Sequence, residues 1–514
     1  MEKKKLPIGM GDYKKLIDLN YYYVDKTMLI KEVLEGGEVI LITRPRRFGK
    51  TLNQSMLRYF FEKADEDSSY LYKDKKIWDH KECRKHQGNY PVIYLTFKDI
   101  QGLSYTETFD TIKELINKEY KKHIYLLESD NLNKYEKQDI KEVINRNINI
   151  ARYKESLQKL SNYLHKHYNK KTVILIDEYD TPIIEAYQNK YYDEFINFFK
   201  TFLGAALKDN ISLEKGVVTG ITKVAKESIF SDLNNLDVAT VLKEFFNDKF
   251  GLLKEEVHEA LDYYDLAYEE KDVVDWYNGY NMRGIEIYNP YSIINLIHNK
   301  GKLQEYWINS SGNEIIKNLI QTSSARFKDE VLQLINGKSI ISEIEENMVF
   351  SDIDGRESNI WTLLLFSGYL KYVEQVGLRE YKLKIPNKEV KFFYEYTVQN
   401  ILKDRKIDLK NILNLLILGE IEDFKDNFKR LVKDNLSYFD TGGGNPEKFY
   451  HGLVLGMIIG LEDNYIIKSN RETAFGRADV ILIPRDKTKK GFVFEFKKFS
   501  KTHDKDLMSS AKKG

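Results

Sequence analysis

Four residues in the first half of the chain have the types and spacing for phosphate chemistry. Lys50 and Thr51 end the run RPRRFGKT (44–51), and Asp177 and Glu178 end the strand-like run of VILIDEYD (173–180). Where an apolar strand passes through a short loop into a helix, a lysine and a hydroxyl can grip a polyphosphate. The ammonium reaches the β- and γ-phosphates, the hydroxyl ligates Mg²⁺, and backbone N–H groups of the loop and helix start hold the other oxygens. A carboxylate at the end of a second strand, here Asp177, completes the Mg²⁺ site. The adjacent Glu178 can take a proton from an attacking water. The constellation predicts binding of ATP or GTP with Mg²⁺, followed by hydrolysis.

The phosphate loop comprises Arg44, Pro45, Arg46, Arg47, Phe48, Gly49, Lys50 and Thr51. Arg44 stands where the general pattern GxxxxGK[ST] has its first glycine, so Gly49 is the one glycine of the loop. Taken alone, RPRRFGKT also fits a basic turn before a helix, and DEYD an acidic loop after a buried strand. Both occurring in this order, each at a strand end, favours the nucleotide site. Arg46 and Arg47 have three uses open to them: phosphate contact, an interface between subunits, or a solvated turn. After a further strand, GVVTG (216–220), Thr219, Thr222 and Lys223 are candidates to sense the γ-phosphate.

A second set of charged residues lies near the other end of the chain. RADVILIP and GFVFEFKKF read as the strands of a hairpin joined by RDKTKK. They carry Asp479 in the first strand, and Glu495 and Lys497 in the second. The separation 495 − 479 = 16 suits two antiparallel strands and a turn. Glu495 and Lys497, two apart, project from one face. Two carboxylates can hold a divalent cation, and the lysine can orient water and stabilise charge on a scissile phosphate. Glu447, at the head of the preceding apolar helix, is a candidate third metal ligand. The competing reading is a hairpin whose charges simply face solvent.

The elements that must position these groups are legible as periodicity. Four apolar runs, at 39–43, 90–97, 172–177 and 216–220, read as buried parallel strands, with helical stretches between them, including a long polar one over 105–168. The pattern predicts an α/β fold, a parallel sheet with helices on both faces, over residues 1–245. Residues 246–420 read as a mainly helical lid or linker, with PYSI (290–293) as a helix start. Residues 421–514 read as a separate α/β domain: an amphipathic helix, the Gly442–Gly444 loop, an apolar helix and the hairpin.

Composition narrows the class. The chain has 514 residues, too many for one compact core, with 42% hydrophobic and 31% charged residues, as in an ordinary globular protein. Lys and Arg total 80 against 79 Asp and Glu, so net charge gives no argument about nucleic acid. Cys83 is the one cysteine, which excludes an intrachain disulfide or a cysteine zinc site and fits a reducing, cytoplasmic setting. No apolar segment follows the basic start MEKKK, and the longest apolar run, 453–461, is far short of the ~20 residues of a membrane span. No membrane partner is expected.

These motifs resemble a known family. YYVDKT (22–27), RPRRFGKT, PVIYLTFKD, LIDEYDTPI and TGITKVAKESIFSDLNNL (219–236), extended by WYNGY (276–280) and YNPYSI (288–293), are similar to the bacterial and archaeal AAA-ATPase-like P-loop proteins. Arginine in place of the first loop glycine is usual there. SYFD, PEKFYHGLVLGMIIGL, GRADVILI and FEFK look like the PD-(D/E)XK nuclease-like domain that accompanies it. The resemblance implies an NTPase, a lid region, and a restriction-endonuclease-like domain that meets the end of the chain before its last strand. It also implies DNA or another nucleic acid as partner, in a defence or mobile-element setting. Three readings follow: an ATP hydrolase coupled to Mg²⁺-dependent nuclease activity, a nucleotide-gated DNA- or protein-binding module without cleavage, or a decayed gene product with neither activity. A homo-oligomer is compatible with each.

Overall fold

A computed structural model describes residues 3–222, 235–308, 313–346, 353, 356–403, 409–439, 461, 464–473 and 476–494. They form two compact units. One comprises Met1–Ser311, Ser342–Tyr381 and Pro386–Glu389; the other comprises Gly312–Ile341, Lys382–Ile385 and Val390–Gly514. Residues 246–420 thus contribute to both.

The first unit is built on a five-stranded parallel sheet. Its strands are β1 (Val39–Thr43), β2 (Val92–Thr96), β3 (Thr172–Asp177), β4 (Leu213–Gly220) and β5 (Leu236–Ala239), in the order β2-β3-β4-β1-β5. Every residue of β1 and β3 is buried, so the centre of the sheet is covered on both faces. That is why these strands read as unbroken apolar runs instead of alternating ones. β4 runs between β1 and β3, pairing Ile42 with Thr219 on one side and Ile176 with Val218 on the other. The two motif-bearing strands are therefore one strand apart, and the strand between them ends at Thr219.

The helix Lys50–Phe61 follows β1 and buries Met56, Leu57, Phe60 and Phe61 in a core shared with Ile40, Ile42, Val173, Leu175 and Val217. The polar stretch after β2 is four α-helices, Tyr105–Lys122, Lys134–Ile144, Ile150–Lys154 and Ser156–Tyr168, with a 3-10 helix at Ile124–Glu128. Asparagines divide it: Asn133 forms a reciprocal capping box with Glu136, and Asn149 accepts from the N–H of Arg152. β2 is an edge strand, and the buried Glu119 takes up its Tyr94 N–H at 3.1 Å. That blunts a sheet edge that would otherwise offer an unpaired donor.

The described residues of 246–420 form many helices, as their pattern predicts, but also five short strands. These are β6 (Tyr280–Met282), β7 (Ile285–Ile287), β8 (Ile340–Glu343), β9 (Lys371–Gln375) and β10 (Glu380–Lys384). The helix Pro290–His298 starts where PYSI places it, with proline in its first turn and Asn289 capping the N–H groups of Tyr291 and Ser292. The buried Glu389 accepts from Ser292 Oγ and from the N–H groups of Tyr306 and Trp307, yet burial holds its carboxyl up at about 7.

In the second unit, an antiparallel sheet runs β11 (Tyr465–Thr473), β12 (Gly476–Pro484) and β13 (Phe492–Phe494). The hairpin of β12 and β13 pairs Val480 with Phe494 and Leu482 with Phe492. β11, a strand the sequence reading lacks, lies on the other side of β12. Val480, Leu482 and Tyr465 pack with Ile412 and Leu413 of the helix Leu409–Leu418, and with Phe424 and Phe428 of the helix Ile421–Phe439. The chain is mixed α/β, and among the described residues no helix is long and apolar enough to cross a membrane.

Candidate functional site

β1 delivers the chain to the loop, and Gly49 turns it into the following helix with φ +84. A side chain at Gly49 would meet no atom within 4 Å, and no side chain caps the first turn of that helix. The loop therefore presents open space and uncapped helix N–H groups on one side, a setting for an anion.

Lys50 is buried and donates to the carbonyls of Arg44 and Pro45, each at 3.0 Å. Burial lowers its affinity for a proton, and the nearby carboxylates of Glu178, Asp180 and Asp177 oppose that shift. Thr51 Oγ1 donates to Asp177 Oδ2 at 2.7 Å, so residues 126 apart in sequence meet at one point. Asp177 Oδ1 accepts from Thr219 Oγ1, also at 2.7 Å. Burial raises the Asp177 carboxyl, the two hydroxyls lower it, and burial prevails. The donor set, one carboxylate beside one hydroxyl, consists of hard oxygens and fits Mg²⁺, with phosphate and water left to complete the sphere. Among the described residues, no group of three or more His, Cys, Asp or Glu side chains is arranged around a metal site. Glu178 follows Asp177 directly and is half-buried.

The remaining loop residues divide by role. Arg44 is fully buried and turned inward. Its guanidinium donates to the carbonyls of Thr43, Ala239, Phe245 and Phe246, it lies over the Phe250 ring, and its N–H donates to Gly220. Burial brings its pKa down to about 9, which leaves it a cation at neutral pH. Arg44 thus braces the loop through its side chain and offers no guanidinium to a phosphate. Pro45 lies against Gly368. Phe48 is buried edge-on to Tyr280 at 5.0 Å, and its carbonyl accepts from the Gly251 N–H. Arg47, at φ +66, stacks over Tyr291 at 5.0 Å, and Arg46 lies near enough to Lys50 to oppose its charge.

An Arg44→Gly chain, which restores the general loop pattern, should lose several kcal/mol of stability. Four backbone carbonyls lose their donor, and each buried unpaired group costs about 1–3 kcal/mol. Chemical denaturation measures this; a midpoint within experimental error of the wild-type value would remove the bracing role.

Of the three γ-phosphate sensor candidates, Thr219 is turned to Asp177, and Thr222 to Asp180 at 3.3 Å. Lys223 lies outside the described residues, as do Glu447, Glu495 and Lys497. Asp479 lies in β12, its side chain outside the described set. The sequence reading misses Gln54, whose buried amide reaches the carbonyls of Ile176 and Val217 and the hydroxyl of Thr219. Its signal was an amide three residues after Thr51, on the inner face of the loop helix. Also missed are Tyr179 and Asp180, which grip the turn after β4.

Residues 7–230 match the protein family described as "Predicted AAA-ATPase", and residues 445–512 match the PD-(D/E)XK nuclease superfamily. The first match contains Lys50, Thr51, Asp177 and Glu178; the second contains Glu447, Asp479, Glu495 and Lys497. The chain is also similar to a protein of Azotobacter chroococcum mcd 1 described as "Uncharacterized protein in vnfD 5'region". Identity is 26% over 402 residues, covering 76% of this chain and 69% of that protein.

Proposed function

We propose, for a chain that joins an AAA-ATPase-like domain to a PD-(D/E)XK nuclease-superfamily domain, that it binds and hydrolyses ATP with Mg²⁺ and thereby controls phosphodiester cleavage in nucleic acid. The observation that carries the first half is the hydrogen bond from Thr51 to Asp177, with Lys50 and Glu178 beside it. Lys50 holds the β- and γ-phosphates, and the uncapped N–H groups of the loop helix hold further oxygens. Thr51 and Asp177 hold the metal, which when bound draws charge from the phosphates. Glu178 accepts the proton of the attacking water. In the second half, Asp479 and Glu495 hold a divalent ion, with Glu447 as a third ligand, and Lys497 stabilises charge on the scissile phosphate. On this reading the ATPase spans 1–245, the lid or linker 246–420 and the nuclease-like domain 421–514, in the cytoplasm.

The test uses the full chain. Phosphate release from ATP should require Mg²⁺ and stop with a chelator; release unaffected by chelation sinks the ATPase half. Plasmid DNA with Mn²⁺ or Mg²⁺, with and without ATP, should be nicked by wild type. Asp479→Asn combined with Glu495→Gln should abolish nicking and leave ATP hydrolysis intact. Hydrolysis with no cleavage by wild type would replace the nuclease half with a nucleotide-gated binding module.

A further inference from the structure

The backbone at Glu178 is left-handed, φ +51, a conformation that costs a non-glycine residue free energy and persists only where its surroundings enforce it. The next two residues are tied to the end of β4. Tyr179 is fully buried; its N–H donates to the Thr219 carbonyl at 3.1 Å, and its hydroxyl donates to the Thr222 carbonyl at 2.7 Å. Asp180 is buried as well, and its Oδ2 accepts from the N–H groups of Ile221 at 2.8 Å and Thr222 at 2.9 Å, and from Thr222 Oγ1.

Two features mark this grip as more than incidental packing. Asp180 occupies the N-cap of the helix Thr181–Gln188, where aspartate ordinarily caps its own helix, yet it makes no such bond and spends its carboxylate across the sheet. Gly220, inside the gripped turn, has no room for a side chain: an added Cβ would lie 2.6 Å from Tyr179 Cε1 and 2.8 Å from Asp180 Oδ1. The ends of β3 and β4 are thereby fastened together on either side of Glu178, which itself takes part in none of these side-chain bonds. Thr181 N–H closes the turn on the Glu178 carbonyl at 3.1 Å.

We propose that Tyr179 and Asp180 are positioning residues for the hydrolytic reaction: by clamping the 219–222 turn, they hold Glu178 in its left-handed conformation and aim its carboxylate at the attacking water. The inference rests on Glu178 being the general base. It gives the second half of the DEYD motif a role that neither phosphate nor metal binding requires.

The experiment is a double-mutant cycle on turnover. Tyr179→Phe, Asp180→Ala and Asp180→Asn are each made in the full chain and again in a Glu178→Gln background, and kcat and KM for ATP are measured with saturating Mg²⁺. Asp180→Ala should lower kcat roughly 10–100-fold, as displacement of a catalytic group by about an ångström does, with KM near wild type. Tyr179→Phe should lower kcat less. Asp180→Asn keeps a carbonyl oxygen to accept the two backbone N–H groups and should recover most of the loss. In the Glu178→Gln background all three should add no further loss, because there is no base left to aim. An equal loss in both backgrounds, or a rise in KM at constant kcat, overturns the clamp and leaves Glu178 as base. Wild-type turnover in Glu178→Gln alone instead overturns the base assignment, and the clamp with it. Should Asp180→Ala not fold, Tyr179→Phe removes one hydroxyl without changing the packing and decides the same question.

Discussion

In a Glu178→Gln chain, ATP turnover should fall roughly 10²–10⁴-fold, the range a lost general base typically costs, while affinity for Mg-ATP stays at the wild-type value. The substitution preserves shape at a half-buried position, so the local structure has little reason to change. Asp177, Thr51 and Lys50 keep their positions, since the Thr51–Asp177 and Lys50–carbonyl bonds do not involve Glu178. Removing one negative charge near Lys50 favours binding if it does anything. Single-turnover phosphate release paired with calorimetric titration separates the two quantities. Turnover at the wild-type rate would make Glu178 a loop residue and nothing more.

Lys50→Ala should act at the other step. Hydrogen bonds to charged groups contribute about 1.5–3 kcal/mol, so loss of the ammonium should weaken Mg-ATP binding roughly 10–100-fold. The loss is deepened, because burial disfavours the charged lysine and a bound phosphate would relieve that cost in the wild-type chain alone. It is deepened again, because alanine leaves the carbonyls of Arg44 and Pro45 without their donor, and these carbonyls shape the loop. Turnover should fall too, since the γ-phosphate loses a contact that strengthens as charge develops. Titration with Mg-ATP is decisive: unchanged affinity would remove RPRRFGKT as the nucleotide loop. Lys50→Ala should thus lose affinity, whereas Glu178→Gln should bind Mg-ATP normally and turn it over slowly.

The candidate site is legible in the sequence to the extent that its chemistry sits at strand ends. Lys50, Thr51, Asp177 and Glu178 stand out because a fully buried strand is an unbroken apolar run, and the first polar residues after it must lie where the chain leaves the sheet. The structure brings Thr51 and Asp177 within a hydrogen bond of each other. Short β5 and β11 escaped for the opposite reason: Leu236–Ala239 is four residues long and only partly buried, and Tyr465–Thr473 carries polar residues through most of its length.

What the sequence by itself determined is therefore the inventory and its order along the chain: an α/β half with the RPRRFGKT loop and an acidic strand end, then a second α/β region with Asp479 in one strand of a hairpin. What only the tertiary structure decided is the partner of each polar group. Arg44 reads as a loop cation and proves to be a brace for carbonyls some 200 residues away. Thr219 and Thr222 read as phosphate sensors, and their hydroxyls go to Asp177 and Asp180. Phe48 and Arg47 rest on Tyr280 and Tyr291, from a region that reads as a separate lid or linker. The reason is physical: periodicity reports whether a residue is buried, which is a local property of strand and helix. The bonding partner of a buried polar group depends on strand order and loop closure, and in a parallel sheet neighbouring strands are far apart in sequence.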